Sequence, residues 1–259
     1  MFEELAEDPA IASWAVVNNG GAADACALAA SLGGICLNPG HNLGFGAAHN
    51  VALRCLNPDG APYHVILNPD IHLEDNTFAD LAEVMDANPQ VGLLMPRILY
   101  PDGSTQFLCK LLPAPVDLLL RRFAPDVVKQ LARNRIATFD LRNFDYESPV
   151  SVPSLSGCFM FTRRSVLDSI EGFDERFFLY MEDVDLCRRM AEKSELLYWP
   201  NVIVKHEHQM TSYKSFRVLL LHLQSAVAYF NKWGWFTDST REKANQMAIA
   251  RLRAMGYDV

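Results

Sequence analysis

No uninterrupted apolar run in the 259 residues approaches the ~20 needed to cross a bilayer, so no membrane-spanning helix is expected. The opening residues, Met1-Phe2-Glu3-Glu4-Leu5-Ala6-Glu7-Asp8, lack the basic-then-apolar pattern of a secretory signal and read instead as helical and acidic. Positive charge is scarce: 23 Lys and Arg stand against 31 Asp and Glu, a net charge of -8. That balance argues against nucleic acid as a partner, because phosphate binding needs a basic face. The six cysteines, Cys26, Cys36, Cys55, Cys109, Cys158 and Cys187, include no Cys-x-x-Cys pair. This spacing favours reduced thiols in a cytoplasmic setting over a disulfide framework or a zinc site. Repeats and low-complexity tracts are absent as well. What is present is a chain 50% apolar and 21% charged, enough to build a sizeable core and to argue against global disorder. Its length fits one α/β domain or two small ones.

Strand-like apolar runs fall near 14–17, 64–67, 91–95, 155–161 and 196–204. Helical periodicity fits 22–32, 46–57, 76–87, 163–170, 183–193, 214–231 and 239–255. Their early alternation suggests βαβ units and a largely parallel sheet flanked by helices. Asn76 is placed as the N-cap of the helix carrying Phe78, Leu81 and Met85. Residues 110–150 break the pattern. Here Arg121, Arg122, Lys129, Arg133, Arg135 and Arg142 concentrate positive charge, interleaved with apolar residues from Leu118 to Leu131. Such a segment suits either a surface that meets anionic lipid or a lipid-diphosphate acceptor, or a solvated helical face packed on the core. Pro113, Pro115 and Pro125 divide it into short helices.

Three segments carry candidate chemistry. Phe173 to Arg189 sets an aromatic run against Glu182, Asp183 and Asp185. Aromatics beside acids make a low-dielectric wall that raises a carboxylate's pKa, although acids also favour the first turn of any helix. Upstream, His64-Val65-Ile66-Leu67-Asn68-Pro69-Asp70 is an apolar strand that ends in polar residues. Downstream, Tyr198 to His208 is a second strand running into His206 and His208. Polar strand ends meet at the carboxyl edge of an open sheet, where ligands bind, and a carboxylate and an imidazole there can share a divalent cation.

With these landmarks the chain resembles the nucleotide-sugar-dependent glycosyltransferases of family two, with the GT-A fold, and within them the rhamnosyltransferase-like branch. The matching residues are Asn42-Leu43-Gly44-Phe45-Gly46 with Asn50, Leu67-Asn68-Pro69-Asp70, Pro96-Arg97-Ile98 with Asp102-Gly103, and Ser156-Gly157-Cys158-Phe159-Met160. They continue through Gly172-Phe173-Asp174-Glu175 and Glu182-Asp183-Val184-Asp185-Leu186 to His206, from about Trp14 to about Trp235. The resemblance implies a GT-A domain over 1–235 with a variable insertion at 110–150, followed by a helical extension at 236–259. One departure stands out. The first strand-like run, Trp14 to Val17, corresponds to the family's second strand, and its turn reads Asn18-Asn19-Gly20-Gly21 where the family has Asp-Asn-Gly-Ser. The family's first strand is therefore missing, which means either a truncated start or altered nucleotide binding.

The resemblance also implies residue roles. Asp183 is the base of an inverting single displacement, with Glu182 as the alternative, since adjacent helical residues point in different directions. Asp70 and His206 hold Mg2+ or Mn2+, with His208 as the alternative to His206. Asn18, Asn42, Gly44, Phe45, Gly46, Asn50, Asn68, Asp70, Gly157 and Arg189 surround the donor. Asp185 fits a structural pair with Arg189 one helical turn on. Phe177, Phe178, Tyr180 and Trp199 either wall the sugar site or pack in the core. The implied reaction moves rhamnose from dTDP-rhamnose onto a glycan or lipid-linked acceptor of a bacterial surface polysaccharide. It is expected at the cytoplasmic side. Peripheral membrane contact is read from the residues themselves, through 116–135 and Phe216 to Phe230, each of which equally suits core packing or a dimer interface. The alternatives are a transferase using UDP-hexose or UDP-galactofuranose, and a non-catalytic GT-A-like binding or scaffold module.

Overall fold

The computed structural model describes residues 1–21, 23–56, 60–207 and 216–259, with backbone alone at 122–123. The acidic start forms a short helix, α1 (Phe2–Glu7). Next come β1 (Ala15–Val17), α2 (Ala23–Ser31) and β2 (Ile35–Leu37), and β1 and β2 pair in parallel as a two-stranded sheet. α3 (Phe45–Cys55) leads into β3 (Tyr63–Leu67), the two-residue β4 (Ile71–His72), α4 (Thr77–Ala87) and β5 (Val91–Leu99). The basic segment folds as three short helices, α5 (Pro115–Phe123), α6 (Asp126–Leu131) and α7 (Arg133–Phe139); Pro115 opens α5 and Pro125 separates it from α6, while α6 and α7 meet at Ala132. Then follow β6 (Val150–Ser151), β7 (Phe159–Arg163), α8 (Arg164–Ser169), α9 (Glu182–Ala191), β8 (Glu195–His206), α10 (Phe216–Trp233) and α11 (Ser239–Ala254).

The larger sheet has the order β3-β7-β5-β8-β4, with β6 pairing β8. Only β5 and β8 are parallel neighbours; β7 runs against both β3 and β5, and β4 and β6 run against β8. The sheet is therefore mixed, where βαβ alternation alone suggested a largely parallel one. The reversal comes from β7, which enters after the 110–150 insertion and not after a crossover helix. Burial follows position in the sheet. β5 is buried almost continuously, as a central strand covered on both faces should be, while β8 alternates buried and less buried residues. Pro96 and Pro200 coincide with a register shift between these strands, because proline donates no ladder hydrogen bond.

The main core gathers Ile71, Leu81, Leu93, Leu94, Phe159 and Leu186 with Leu252 of α11, so the C-terminal helix packs into the same core as the sheet. A second cluster, Phe177, Met181, Tyr229 and Phe230, joins α10 to the segment before α9. Two expectations need correction. Cys26 and Cys36 form a disulfide that ties α2 to β2, whereas all six thiols were expected to be reduced. The short β1–α2–β2 crossover brings back together two cysteines whose ten-residue spacing matches no metal or redox motif. Asn76 does occupy the N-cap of α4, but in the left-handed region and with no side-chain capping bond; Thr77 Oγ1 instead donates to the Glu74 carbonyl at 2.7 Å.

Arg188 of α9 and Asp238, the N-cap of α11, form a buried two-pronged ion pair with N–O distances of 2.6 and 2.5 Å. The Arg188 guanidinium also lies 4.1 Å from the Trp233 ring centroid. Burial pushes the Asp238 carboxyl up, but the Arg188 hydrogen bonds, the Arg241 N–H and the charges of both arginines together outweigh it and hold the carboxyl below its ordinary range. Asp238→Ala leaves a buried guanidinium unpaired and should lower the unfolding free energy by about 3–5 kcal/mol, read as a fall in the urea midpoint. Because the folded pKa is depressed, the pair's contribution is complete above about pH 4 and fades as pH falls below it. A midpoint unchanged by the substitution would contradict this anchoring role.

Candidate active site

The sheet's ladders deliver polar groups to one edge. β3 pairs with β7 through Leu67 and Phe159, and the Asn68 N–H extends that ladder to the Cys158 carbonyl at 2.9 Å. This puts Asn68 beside the Ser156-Gly157-Cys158 turn. β4 pairs Ile71 with His206, and the Glu207 N–H donates to the Asp70 carbonyl at 2.9 Å. In that register Asp70 Oδ1 lies 3.1 Å from His206 Nε2. The strand-end carboxylate and imidazole expected from sequence are thus neighbours.

His206 is also held from its other side, with Nδ1 3.0 Å from Gln106 Oε1. The Gln106 amide is oriented by its own donations, Nε2–H to the His206 carbonyl at 2.9 Å and to the Leu99 carbonyl at 3.4 Å. With Gln106 on the Nδ1 side, Nε2 is the ring nitrogen that faces the Asp70 carboxylate. A carboxylate and an imidazole nitrogen at this distance can share a proton or a cation. The donor set, one carboxylate oxygen and one imidazole nitrogen, is compatible with Mg2+ or Mn2+ completed by substrate oxygens and water. No group of three or more metal-ligating His, Cys, Asp or Glu side chains occurs among the described residues. His208, the alternative to His206, lies outside them.

Asp183 enters from α9. Residues Tyr180 and Met181, just before the helix, have φ of 68° and 67°, left-handed values that non-glycine residues rarely adopt. The strained turn drives the first turn of α9 against the β7 edge. Asp183 Oδ2 accepts the Gly157 N–H at 3.2 Å, and Oδ1 accepts the Val184 N–H at 2.8 Å. A Cβ on Gly157 would lie 3.1 Å from the Asp183 Cβ, so the approach depends on glycine. Burial raises the Asp183 pKa above the ordinary carboxylate value, while the two backbone N–H groups oppose the shift and favour the anion. Glu182 differs. It is buried, its Oε2 has no hydrogen-bond partner, and burial followed by the Asp183 charge raises its pKa well above the ordinary value. Asp185 pairs with Arg189 at 2.7 Å, as the helical spacing suggested, and also accepts from Trp233 Nε1 at 2.8 Å.

Asp183, Glu182, Asn68, Phe45, Gly157 and His206 line one cavity of about 630 Å³, whose wall also includes Tyr180 against His222. The remaining expected donor residues lie elsewhere. Asn18 Oδ1 accepts the Gly21 N–H at 3.1 Å and Asn42 Oδ1 accepts the Gly44 N–H at 2.8 Å, both within loops beside α3. Gly44, with φ of 88°, meets the Phe178 carbonyl so closely that a Cβ there would collide with it, and Gly46 packs on Phe173. Asn50 is a brace: its Nδ2 donates to the Phe173 carbonyl and Glu175, and its Oδ1 accepts the Phe173 N–H. Arg189 donates to Asp185 and to the Ile170 and Gly172 carbonyls. Asn50 and Arg189 line a separate depression with Arg54 and Glu175, away from Asp183. Phe177 and Trp199 are packing residues, one in each core cluster.

Several site residues escaped the sequence reading. Asn19 clamps the glycine loop, accepting the Leu43 N–H at 2.7 Å and donating to the Gly44 carbonyl at 2.9 Å; its signal was the Asn-Asn-Gly-Gly turn. Gln106 and Lys110 reach the cavity from the irregular stretch after β5, where no periodicity marks them. Lys110 lies 4.0 Å from the buried Asp140, and burial followed by the neighbouring Arg121 lowers its pKa to about 8.

The comparisons agree with this geometry. A sequence model described as "Glycosyltransferase like family 2" matches residues 16–220. Two curated relatives share 32% identity each. One is the N-acetylglucosaminyl-diphospho-decaprenol L-rhamnosyltransferase of Mycobacterium tuberculosis, over 66% of this chain and 57% of its own. The other is the rhamnosyltransferase WbbL of Escherichia coli K12, over 72% and 69%. The chain therefore spans little more than half the length of the mycobacterial relative. Among solved structures, GalNAc-T7 with UDP, GalNAc and Mn2+ superposes with a TM-score of 0.55 at 11% identity, covering 83% of this chain and 41% of that one. The mannosyltransferase PcManGT of Pyrobaculum calidifontis, with GDP-Man and Mn2+, gives 0.51 at 16% identity, covering 93% and 66%. At these identities the structures establish the GT-A fold alone. With a match over most of its length, and with that fold, the chain belongs to glycosyltransferase family 2.

Proposed function

We propose that the protein is an inverting glycosyltransferase that moves rhamnose from dTDP-rhamnose to a lipid-diphosphate-linked sugar of a bacterial surface polysaccharide, with Asp183 as the base. The observation that carries this reading is the placement of Asp183. It is the one acid of its helical turn that lines the cavity while held by two backbone N–H groups, and it shares that cavity with Asn68 and His206. In the displacement, Asp183 takes the acceptor hydroxyl proton as the oxygen attacks the anomeric carbon, and the nucleoside diphosphate leaves with the bonding pair. A Mg2+ or Mn2+ held by Asp70 and His206 would neutralise the leaving diphosphate. Burial and the neighbouring Asp183 charge make Glu182 hold its proton more tightly than an ordinary carboxyl, which favours Asp183 over Glu182 as base. The choice of rhamnose and of the acceptor class rests on the two relatives above, whose names specify rhamnosyl transfer. A uridine-linked hexose used in its place would move the donor assignment. Donor binding without turnover would favour the scaffold reading.

Asp183→Asn should reduce turnover by roughly 100-fold or more while leaving donor affinity largely intact, measured as kcat and donor Kd. Unchanged turnover rejects the assignment, and loss in Glu182→Gln alone transfers the role there. Since a base works only when deprotonated and the Asp183 pKa is raised, the rate should fall on the acid side at a pH above the ordinary carboxylate range. Stripping divalent ions with a chelator should abolish transfer, and Asp70→Asn or His206→Ala should raise the Mn2+ concentration needed to restore it. Full activity in chelator would refute the metal site.

The same reading places the protein at a membrane surface. No described helix is long and apolar enough to cross a membrane. Large apolar side chains are nevertheless exposed on the insertion and on α10, with Leu131 at 83%, Val127 at 73% and Phe216 at 74%. Exposed apolar side chains beside basic residues suit an anionic lipid face. Co-sedimentation with anionic vesicles is expected at low salt and should weaken at about 0.5 M salt, where screening shortens the reach of surface charge. No co-sedimentation at low salt removes the membrane contact and leaves the transferase reading untouched.

A further inference from the structure

Three cations converge on one buried carboxylate in the wall of the active-site cavity. Asp140 is 2% exposed. Arg142 reaches it at 3.1 Å, Arg121 at 3.6 Å and Lys110 at 4.0 Å. The last two contacts are too long for hydrogen bonds, and Asp140 Oδ1 has no hydrogen-bond partner despite its burial. Positive charge therefore exceeds negative charge at this point in a protein whose net charge is -8. The guanidinium groups are pinned: Arg121 lies 5.5 Å from the centroid of the Phe139 ring and Arg142 5.8 Å from that of Phe107. All four charged residues line the cavity that holds Asp183.

We infer that Lys110, Arg121 and Arg142 form a diphosphate subsite for the acceptor, distinct from the donor end at Asp70 and His206. Two features assign the cluster to the acceptor. It lines the same cavity as Asp183, and a base must face the attacking hydroxyl. Arg121 and Asp140 also belong to the insertion whose α5 and α6 expose Leu119, Val127 and Leu131, a route for a lipid chain leading away from a bound diphosphate. Planar guanidiniums suit phosphate oxygens because they donate in a fixed fork. Asp140 holds the three cations together until the diphosphate takes up their spare donors.

The inference rests on the transferase reading, but one of its tests needs no turnover. Inorganic pyrophosphate, added with chelator to the full chain, should bind in calorimetry, and binding should weaken tenfold or more in Arg121→Gln and in Arg142→Gln, about the effect of losing one charge-assisted hydrogen bond. Arg142 is about half exposed, so its variant should fold, and unchanged thermal unfolding checks this. In transfer assays with a short-chain lipid-diphosphate sugar, the same variants should raise the acceptor KM tenfold or more and leave the donor KM within about twofold. Arg142→Lys should recover part of the loss, because it keeps the charge without the fork. Failure of the wild type to bind pyrophosphate overturns the subsite, as does equal binding by wild type and variants. A rise in donor KM instead reassigns the cluster to the donor and overturns the inference as well. If transfer is absent but pyrophosphate binding follows the arginines, the transferase reading fails and the anion subsite stands.

Discussion

The arrangement of the site depends on how closely the first turn of α9 can approach the sheet. At Gly157 the strand-to-strand turn passes so near Asp183 that any side chain would press on its Cβ, and at Gly44 the Phe178 carbonyl fills the space a Cβ would need. These two contacts draw the helix start, the glycine loop and the β7 edge into one wall. Left-handed backbone at Tyr180 and Met181 supplies the sharp entry, and strain of this kind persists only where the surroundings fix it. The fixing is visible. Arg189, Lys232 and Trp233 all bond Asp185, and Phe177 and Met181 are buried in the cluster with Tyr229 and Phe230. Asp185 therefore holds the turn that lets Asp183, two residues earlier, face the cavity.

The opposite end of the cavity is set by strand register. A two-residue strand is too short to be stable alone, yet β4 places Asp70 against His206 because it closes a ladder on the end of β8. Slipping that ladder by one residue would turn these side chains to the other face. Gln106 then settles which imidazole nitrogen faces Asp70, a choice made by an amide anchored to two backbone carbonyls. A residue from an irregular stretch thus determines the chemistry available to a strand-end pair.

Much of this was legible in the sequence, and the reason differs by element. Long apolar runs and helical periodicity marked β3, β5, β8, α4, α9 and α11, because burial on one face leaves a period. Prolines foretold short helices in the insertion and mark the break between α5 and α6, but none marks the α6–α7 boundary at Ala132. The polar strand ends marked Asp70 and His206 before their 3.1 Å approach was visible, and the acid-rich start of α9 marked Glu182, Asp183 and Asp185 without choosing among them. Direction and register were not legible: nothing in Phe159 to Arg163 announces that β7 runs against its neighbours. The roles of Asn50 and Arg189 were misread for a related reason. Each carries donors, and sequence alone does not say that backbone carbonyls at Phe173, Ile170 and Gly172 will take them. The Cys26–Cys36 bond was hidden because its closeness arises from the β1–α2–β2 turn and not from spacing.

Glu182, Asp183 and Asp185 lie within one helical turn, yet their environments set three different behaviours. Asp185 is fully buried but meets two cations and an indole N–H, so its charge is matched. Glu182 is buried with its Oε2 unpartnered, and burial followed by the Asp183 charge pushes its pKa well above the ordinary carboxyl value. Asp183 is raised by burial and pulled back by two N–H groups and by Lys110. Of the three acids, only Asp183 lines the cavity while its carboxylate accepts two backbone N–H groups.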